Sequence, residues 1–276
     1  MELSFIIVNY NVTELLRNCL LSIQKYATDI PHEMIVVDNN STDQSWRQLE
    51  NEFKDVRFIA SDKNVGFAKA NNRAVDLANG EWIYILNPDT ELQGFYLQEL
   101  LYFARNTDRF GSLGLRMHDA HGNFLPESKR SVPDVFNSFE KLFLGTKKKG
   151  RKTYYRDDIP ENEIAEVEIL TGANLLMKKS VYQRAGGFDE AYFMYGEDID
   201  LCYTLLQQGF RNFYYGKYPL LHHKGESTIK DEKYLRNFYG AMDIFVNKYY
   251  RNKPAQRAIL RSGLWLKCQL EKRKLK

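Results

Sequence analysis

Three carboxylates fall within four positions at Glu197, Asp198 and Asp200, inside the run AYFMYGEDID over residues 191–200. A carboxylate that faces a hydroxyl can take its proton in a transition state, an effect worth roughly 10²- to 10⁴-fold in rate. Acids also favour the first turn of a helix, where the dipole is positive. That explains one acid more readily than three. A second constellation, Asn87-Pro88-Asp89, closes the apolar run WIYIL. Mg²⁺ and Mn²⁺ take oxygen ligands, often one or two carboxylates with phosphate oxygens completing the shell. Asp89 is therefore the candidate metal ligand, and Asn87 offers a weaker amide oxygen. His222 and His223 end a later apolar run, and a neutral imidazole can ligate Mn²⁺. A cation that offsets charge on a departing diphosphate, with a carboxylate that deprotonates a hydroxyl, would suit transfer of a group from a diphosphate to that hydroxyl.

Asp38 follows MIVV and precedes Asn39-Asn40-Ser41-Thr42-Asp43. It can accept the imide N–H of uracil or thymine, or close an Asx turn that starts the next helix. Asn64-Val65-Gly66-Phe67 is either a ligand loop, with Gly66 allowing close backbone approach, or an ordinary turn.

These residues need elements to carry them. LSFIIVN (3–9) and MIVVD (34–38) read as parallel strands buried on both faces, with VRFIA (56–60) as the third strand and WIYIL (82–86) as the fourth. Between the first two, Leu15, Leu16, Cys19, Leu20 and Ile23 keep helical spacing, with Thr13 as the expected N-cap. A helix is expected from Phe67 to Asn79, ended by Gly80 in a left-handed conformation. Strand–helix alternation with short links predicts a doubly wound parallel sheet, with the carboxylates at strand ends where ligands bind. Residues 111–117 and the turn at 119–123 suggest a hairpin, and EVEILTGANLLMKK (166–179) resumes strand character. Residues 145–163, with a basic block, read as a loop. From residue 231 the pattern is helical, broken at Pro254. The expected division is a catalytic domain over 1–230 and a helical, basic tail over 231–276.

The net charge is +3. Lys248–Lys276 contributes +9 of it, leaving −6 for residues 1–247. An acidic body with a basic tail points to an anionic partner for the tail, such as a lipid surface. The body supplies no basic face, so nucleic acid is not an expected partner. Three scattered cysteines argue against a disulfide framework and for a reducing, cytoplasmic setting. MELSFIIVNYN lacks a basic n-region and reads as a first strand, not a signal peptide. No G-x-G-x-x-G follows that strand, Gly216-Lys217 lacks the rest of a P-loop, and no G-x-S-x-G is present, which sets aside dinucleotide, P-loop and hydrolase-elbow chemistry.

Taken in order, SFIIVNYN, IVVDNNSTD, NVGFAKANNRAV, GEWIYILNPDTEL, the TGAN-to-GEDIDLCYTLLQQGF segment and HHKGEST resemble the family 2 glycosyltransferases, inverting enzymes of the GT-A fold. The resemblance covers residues 3 to about 228. NPD with TGAN and GEDIDL is most similar to the branch described as rhamnosyltransferases of bacterial surface polysaccharides. It implies a GT-A fold with a mostly parallel central sheet, and a pyrimidine site at Asp38 with Val8, Asn9 and Tyr10 lining the nucleotide. Asn64, Gly66 and Asn71 would border the nucleotide-sugar. It further implies a divalent cation (Mg²⁺ or Mn²⁺) at Asp89 with His222, Asp198 as general base and Glu197 beside it. Asn87 stands where the family's motif usually begins with an acid, which weakens the implied metal site. The expected donor is dTDP-rhamnose or a UDP-sugar, and the acceptor a glycan or lipid-linked glycan on the inner face of the cytoplasmic membrane. A UDP-hexose or UDP-N-acetylhexosamine transferase, or a catalytically silent nucleotide- or glycan-binding protein, are the alternatives.

Overall fold

The computed structural model describes residues 1–133, 154–223 and 231–274. In chain order the elements are β1 (Leu3–Asn9), α1 (Thr13–Tyr26), β2 (His32–Asp38), α2 (Leu49–Glu52), β3 (Val56–Ala60), α3 (Phe67–Leu77), β4 (Trp82–Leu86), β5 (Thr90–Leu92), α4 (Leu97–Arg105) and β6 (Phe110–His118). After a loop come β7 (Ile164–Val167), β8 (Asn174–Lys178), α5 (Lys179–Ala185), α6 (Glu197–Gln207), β9 (Arg211–His222), α7 (Glu232–Tyr249) and α8 (Pro254–Lys274). The basic block at 145–153 and Lys224–Lys230, which includes the GEST segment, lie outside the described residues.

One sheet organises the fold, in the order β3-β2-β1-β4-β8-β6-β9-β5, with β7 also paired to β9. Strands β3, β2, β1 and β4 are parallel, as the strand–helix alternation predicts, and β3 is an edge strand with Arg57 and Ala60 exposed. Beyond β4 the sheet is mixed. β8 runs antiparallel to both β4 and β6, and β9 runs parallel to β6. β8 starts at the carboxyl end of the parallel strands, where Asn174 pairs with Leu86, and so runs against them. Every β1 side chain is buried, and alternation divides them between two layers. Leu3, Phe5 and Ile7 pack with Leu16, Leu20 and Ile23 of α1 and Leu97 and Leu100 of α4. Ile6 and Val8 pack on the other face with Ala74 and Val75 of α3 and Leu201 and Leu205 of α6.

Two local expectations are corrected. Thr13 is the first residue of α1 and caps nothing; Val12 is the N-cap, and the Thr13 hydroxyl pairs with that of Ser45 at 2.6 Å. α3 stops at Leu77, and Gly80 is not left-handed. Gly80 is glycine because a Cβ there would lie 2.6 Å from both the N and Oγ of Ser4 on β1. No helix among the described residues is long and apolar enough to cross a membrane.

Candidate active site

β1, β2, β4 and β9 point the same way, so Asn9, Asp38, Asn87 and His222 collect at one edge of the sheet, the carboxyl end of its parallel strands. Asn9 and Asp38 are register partners. Asp38, 1% exposed, accepts from Asn9 Nδ2 (2.8 Å), Ser41 N (2.9 Å) and Ser41 Oγ (2.6 Å). The Asx-turn role is thus realised, and Asp38 acts by fixing the loop that follows β2. Because a carboxylate only accepts, the Asn9 amide nitrogen must face it. That leaves the buried Asn9 Oδ1 as an acceptor with no hydrogen-bond partner among the described residues. Val8 is buried beneath, and Tyr10 is exposed at the rim.

Asn64 Oδ1 accepts from Asn39 Nδ2 (3.1 Å) and from the N–H of Gly66 (3.0 Å), which ties the loop before α3 to the end of β2. Gly66 has φ +87°, and a Cβ there would sit 2.4 Å from the Phe193 carbonyl oxygen. The close approach expected at Gly66 is therefore made by the protein's own 191–196 segment, and Phe67 N–H donates to the same carbonyl at 2.8 Å. Asn71, fully buried in α3, donates to the Phe67 carbonyl and leaves Oδ1 without a hydrogen-bond partner among the described residues.

Asp89, 2% exposed, places Oδ1 3.3 Å from His222 Nε2. The backbone holds the pair, because Thr90 of β5 faces His222 of β9 and His223 N–H donates to the Asp89 carbonyl at 2.9 Å. Two donors bound to one cation at about 2.1 Å and at right angles would stand roughly 3 Å apart, so the pair fits a shared ion. Asn87 Oδ1 is also buried, with no hydrogen-bond partner among the described residues. No group of three or more His, Cys, Asp or Glu side chains converges among the described residues. A site with few protein ligands leaves coordination positions for diphosphate oxygens, and its oxygen donors suit Mg²⁺ or Mn²⁺.

Asp198 lies in the first turn of α6. Its Oδ2 accepts from Arg130 Nη2 at 2.6 Å and from Gly172 N–H at 3.2 Å. Arg130 is buried, and although burial opposes its charge, the neighbouring Asp198 outweighs that and raises its pKa. Glu197 is buried, its Oε2 has no hydrogen-bond partner among the described residues, and burial followed by the charge of Asp198 pushes its pKa up to about 8. Residues 171–174 connect the two acidic groups. Gly172 N–H reaches Asp198, while Ala173 C=O accepts from Asn87 N–H at 3.0 Å. The turn before α6 is strained, since Tyr195 (φ +70°) and Gly196 (φ +81°) are both left-handed, a conformation that is unfavourable for a bulky residue. A Cβ on Gly196 would touch the Tyr192 ring at 3.1 Å, so this glycine serves the turn and its packing. The Tyr195 ring is held edge-on by Tyr234 and Phe238 of α7. α7 also reaches α6 directly, where Lys248 Nζ lies 2.8 Å from the buried Asp200 and 2.6 Å from Asp189.

Arg130 is the site residue that sequence reasoning missed. It sits in the irregular FLPESKR segment and reaches Asp198 through an isolated bridge to Ile169, a pairing that leaves no periodic signal. The TGAN motif was the available sign that residues 171–174 matter.

Comparison with known proteins agrees with this geometry. The N-acetylglucosaminyl-diphospho-decaprenol L-rhamnosyltransferase of Mycobacterium tuberculosis is 31% identical over 218 residues, which cover 74% of this chain and 71% of that protein. Rhamnosyltransferase WbbL of Escherichia coli is 27% identical, over 71% of this chain and 74% of its own. Among solved structures, GalNAc-T7 with UDP, GalNAc and Mn²⁺ superposes with a TM-score of 0.63 at 14% identity, covering 97% of this chain and 54% of that one. S. aureus TarS 1-349 gives a TM-score of 0.59 at 16% identity, covering 97% and 71%; both likenesses concern the fold. The description Glycosyl transferase family 2 matches residues 4–184, which hold the strand tips at Asn9, Asp38 and Asp89 and the loop that reaches Asp198. With that sheet edge, that loop and those relatives, the chain belongs to glycosyl transferase family 2 and is a glycosyltransferase related to the bacterial rhamnosyltransferases.

Proposed function

We propose that this enzyme moves one sugar, rhamnose or a hexose, from a pyrimidine nucleoside diphosphate to a hydroxyl of a lipid-linked or surface glycan, with inversion at the anomeric carbon. The observation that carries the reading is the 171–174 loop, which holds Asp198 and the Asn87-Pro88-Asp89 tip at one sheet edge. The acceptor oxygen attacks the anomeric carbon while the bond from that carbon to the diphosphate oxygen breaks. Asp198 takes the hydroxyl proton, and Arg130 and the Gly172 N–H hold its carboxylate in place. Asp89 and His222, with Asn87, are the residues that would hold a divalent cation, which when bound neutralises charge on the diphosphate. Asn9 Oδ1, beside Asp38, is an acceptor suited to an imide N–H, and exposed Tyr10 offers a ring for the base to stack on. Asn64, Gly66 and Asn71 shape the loop that borders the donor.

Rhamnose is favoured by the names of the M. tuberculosis and E. coli relatives. A hexose is favoured by the low-salt glycan biosynthesis hexosyltransferase Agl10 of Haloferax volcanii, 28% identical over 73% of this chain and 61% of its own. Residues 1–230 are read as the catalytic part and 231–276 as helices appended to it. The free, buried Cys19 and Cys202 suit a reducing, cytoplasmic setting. The test is a donor panel in Mn²⁺ (dTDP-rhamnose, UDP-glucose, UDP-N-acetylglucosamine and GDP-mannose) with calorimetry of the free diphosphates. Release of dTDP or UDP, and tighter binding of UDP or dTDP than of ADP or GDP, is expected. Equal affinity for all four, or turnover of the guanine donor alone, would reject the pyrimidine reading.

A further inference from the structure

α8 carries apolar side chains on two faces. Leu260, Leu264 and Cys268 pack on Leu235, Tyr239 and Val246 of α7. The other face leaves Ile259, Leu266 and Leu270 exposed, and Trp265, 65% exposed, stands about 100° round the helix from Leu266. Spacings of seven and four residues put the three aliphatic side chains on one stripe. Because the opposite face is already packed, α8 cannot roll to hide that stripe. The helix also carries six Lys and Arg against one acid, Glu271. Arg261 is paired with Asp243, and Lys267 and Lys274 with Glu271. Arg257, Lys272 and Arg273 make no ion pair among the described residues.

From this we infer that the outer face of α8 is a docking surface for an anionic phospholipid bilayer. At about 100° per residue, Lys267, Arg273 and Lys274 flank the stripe, while Arg257 and Lys272 lie across the helix from it. An apolar stripe one helix wide with flanking cations matches a helix lying in the headgroup region. The stripe is convex, so a protein partner would have to bring its own groove, whereas a bilayer needs none. Docking would also orient the enzyme. The bilayer-facing helix packs on α7, and α7 is tied to the catalytic helix through Lys248, Asp189 and Asp200.

Trp46 and Trp82 are 1% and 3% exposed, so a change in tryptophan emission on binding reports Trp265. The full chain is mixed with phosphatidylglycerol–phosphatidylcholine vesicles and with phosphatidylcholine vesicles alone. Expected are a blue shift and co-sedimentation with the anionic vesicles, with binding falling about 10-fold or more between 0.05 and 0.5 M salt. A Leu266→Ser/Leu270→Ser variant should lose about 10-fold or more in binding with an unchanged circular dichroism spectrum. Trp265→Phe should abolish the emission change and still sediment. Equal binding by the double variant, or by neutral vesicles, overturns the inference. So does a dimer, seen by light scattering, that the double variant dissociates while the parent ignores vesicles; the face would then be a self-interface. None of these readouts uses sugar transfer, so their failure leaves the transferase reading intact.

Discussion

At Asp198 two requirements meet, since the residue is both the proposed base and the charge partner of a buried guanidinium. Asp198→Asn is expected to lower transfer by roughly 10²-fold or more while donor affinity in calorimetry is nearly unchanged. It should also cost about 3 kcal/mol in urea denaturation, because Arg130 is left buried without a counter-charge. Combining it with Arg130→Met should restore most of that stability and none of the activity; recovery of transfer in the double variant would remove Asp198 from the chemistry. Glu197 makes a separate, pH-dependent prediction. Burial, then the charge of Asp198, raises its pKa from 4.5 to about 8, so the folded state binds this proton more tightly than the unfolded chain does. Its contribution to stability is complete below about pH 4.5 and is lost as pH rises to about 8. Glu197→Gln, which cannot ionise, should therefore gain in melting temperature relative to the parent between pH 5 and pH 8. A difference that is flat across that range would refute the buried-acid assignment. Glu197, Asp198 and Asp89 were legible in the sequence because carboxylates crowd a helix start and follow an uncharged strand. Arg130 was not, since a contact across an isolated bridge follows no periodicity. The Asx turn from Asp38 to Ser41 was legible too, but not the Asn9 amide that β1 brings to the same carboxylate.

Among the elements, the four parallel strands were readable to within two residues: β1 and β4 are apolar runs buried throughout, and β3, an edge strand with Arg57 exposed, was readable from its Val, Phe and Ile and its place in the strand–helix alternation. The glycines were harder, since a sequence shows that a side chain is missing and not what occupies its space. Gly66 yields to Phe193 and Gly80 to Ser4, both contacts between distant segments. Gly66→Ala combines a left-handed backbone with a 2.4 Å clash against a carbonyl oxygen. It is expected to cost roughly 3 kcal/mol or more in urea unfolding and to weaken UDP binding. An alanine variant with parental stability would mean that the 191–196 segment does not rest on the loop before α3. The hairpin turn at 119–123 was legible as well, because Asp119 accepts from the backbone of His121 and Asn123, as turn-forming aspartates do.

On the scale of the whole molecule, α7 touches the helix that carries Asp198, through Lys248 and Asp200, a contact the sequence hid because Lys248 looked like the first charge of a basic tail. Lys248→Met should leave Asp200 without its cation and lower stability by about 2 kcal/mol. Slower transfer at an unchanged donor affinity is the kinetic signature expected if α7 steadies the catalytic helix; unaltered transfer and melting would show that α7 is only appended. The mixed sheet has a different consequence, one that concerns the order of synthesis. β1, β2, β3 and β4 pair with one another within the first 86 residues, so this half of the sheet can assemble as soon as it leaves the ribosome. β8, the partner of the outer edge of β4, follows only at residues 174–178, and β9 only at 211–222. Until then the uncharged WIYIL edge is bare, and an unpaired apolar strand is a template for another chain. The nascent protein therefore passes through a long window in which its own central strand is its main aggregation hazard, and polypeptides ended between β4 and β8 should be the ones that chaperones hold.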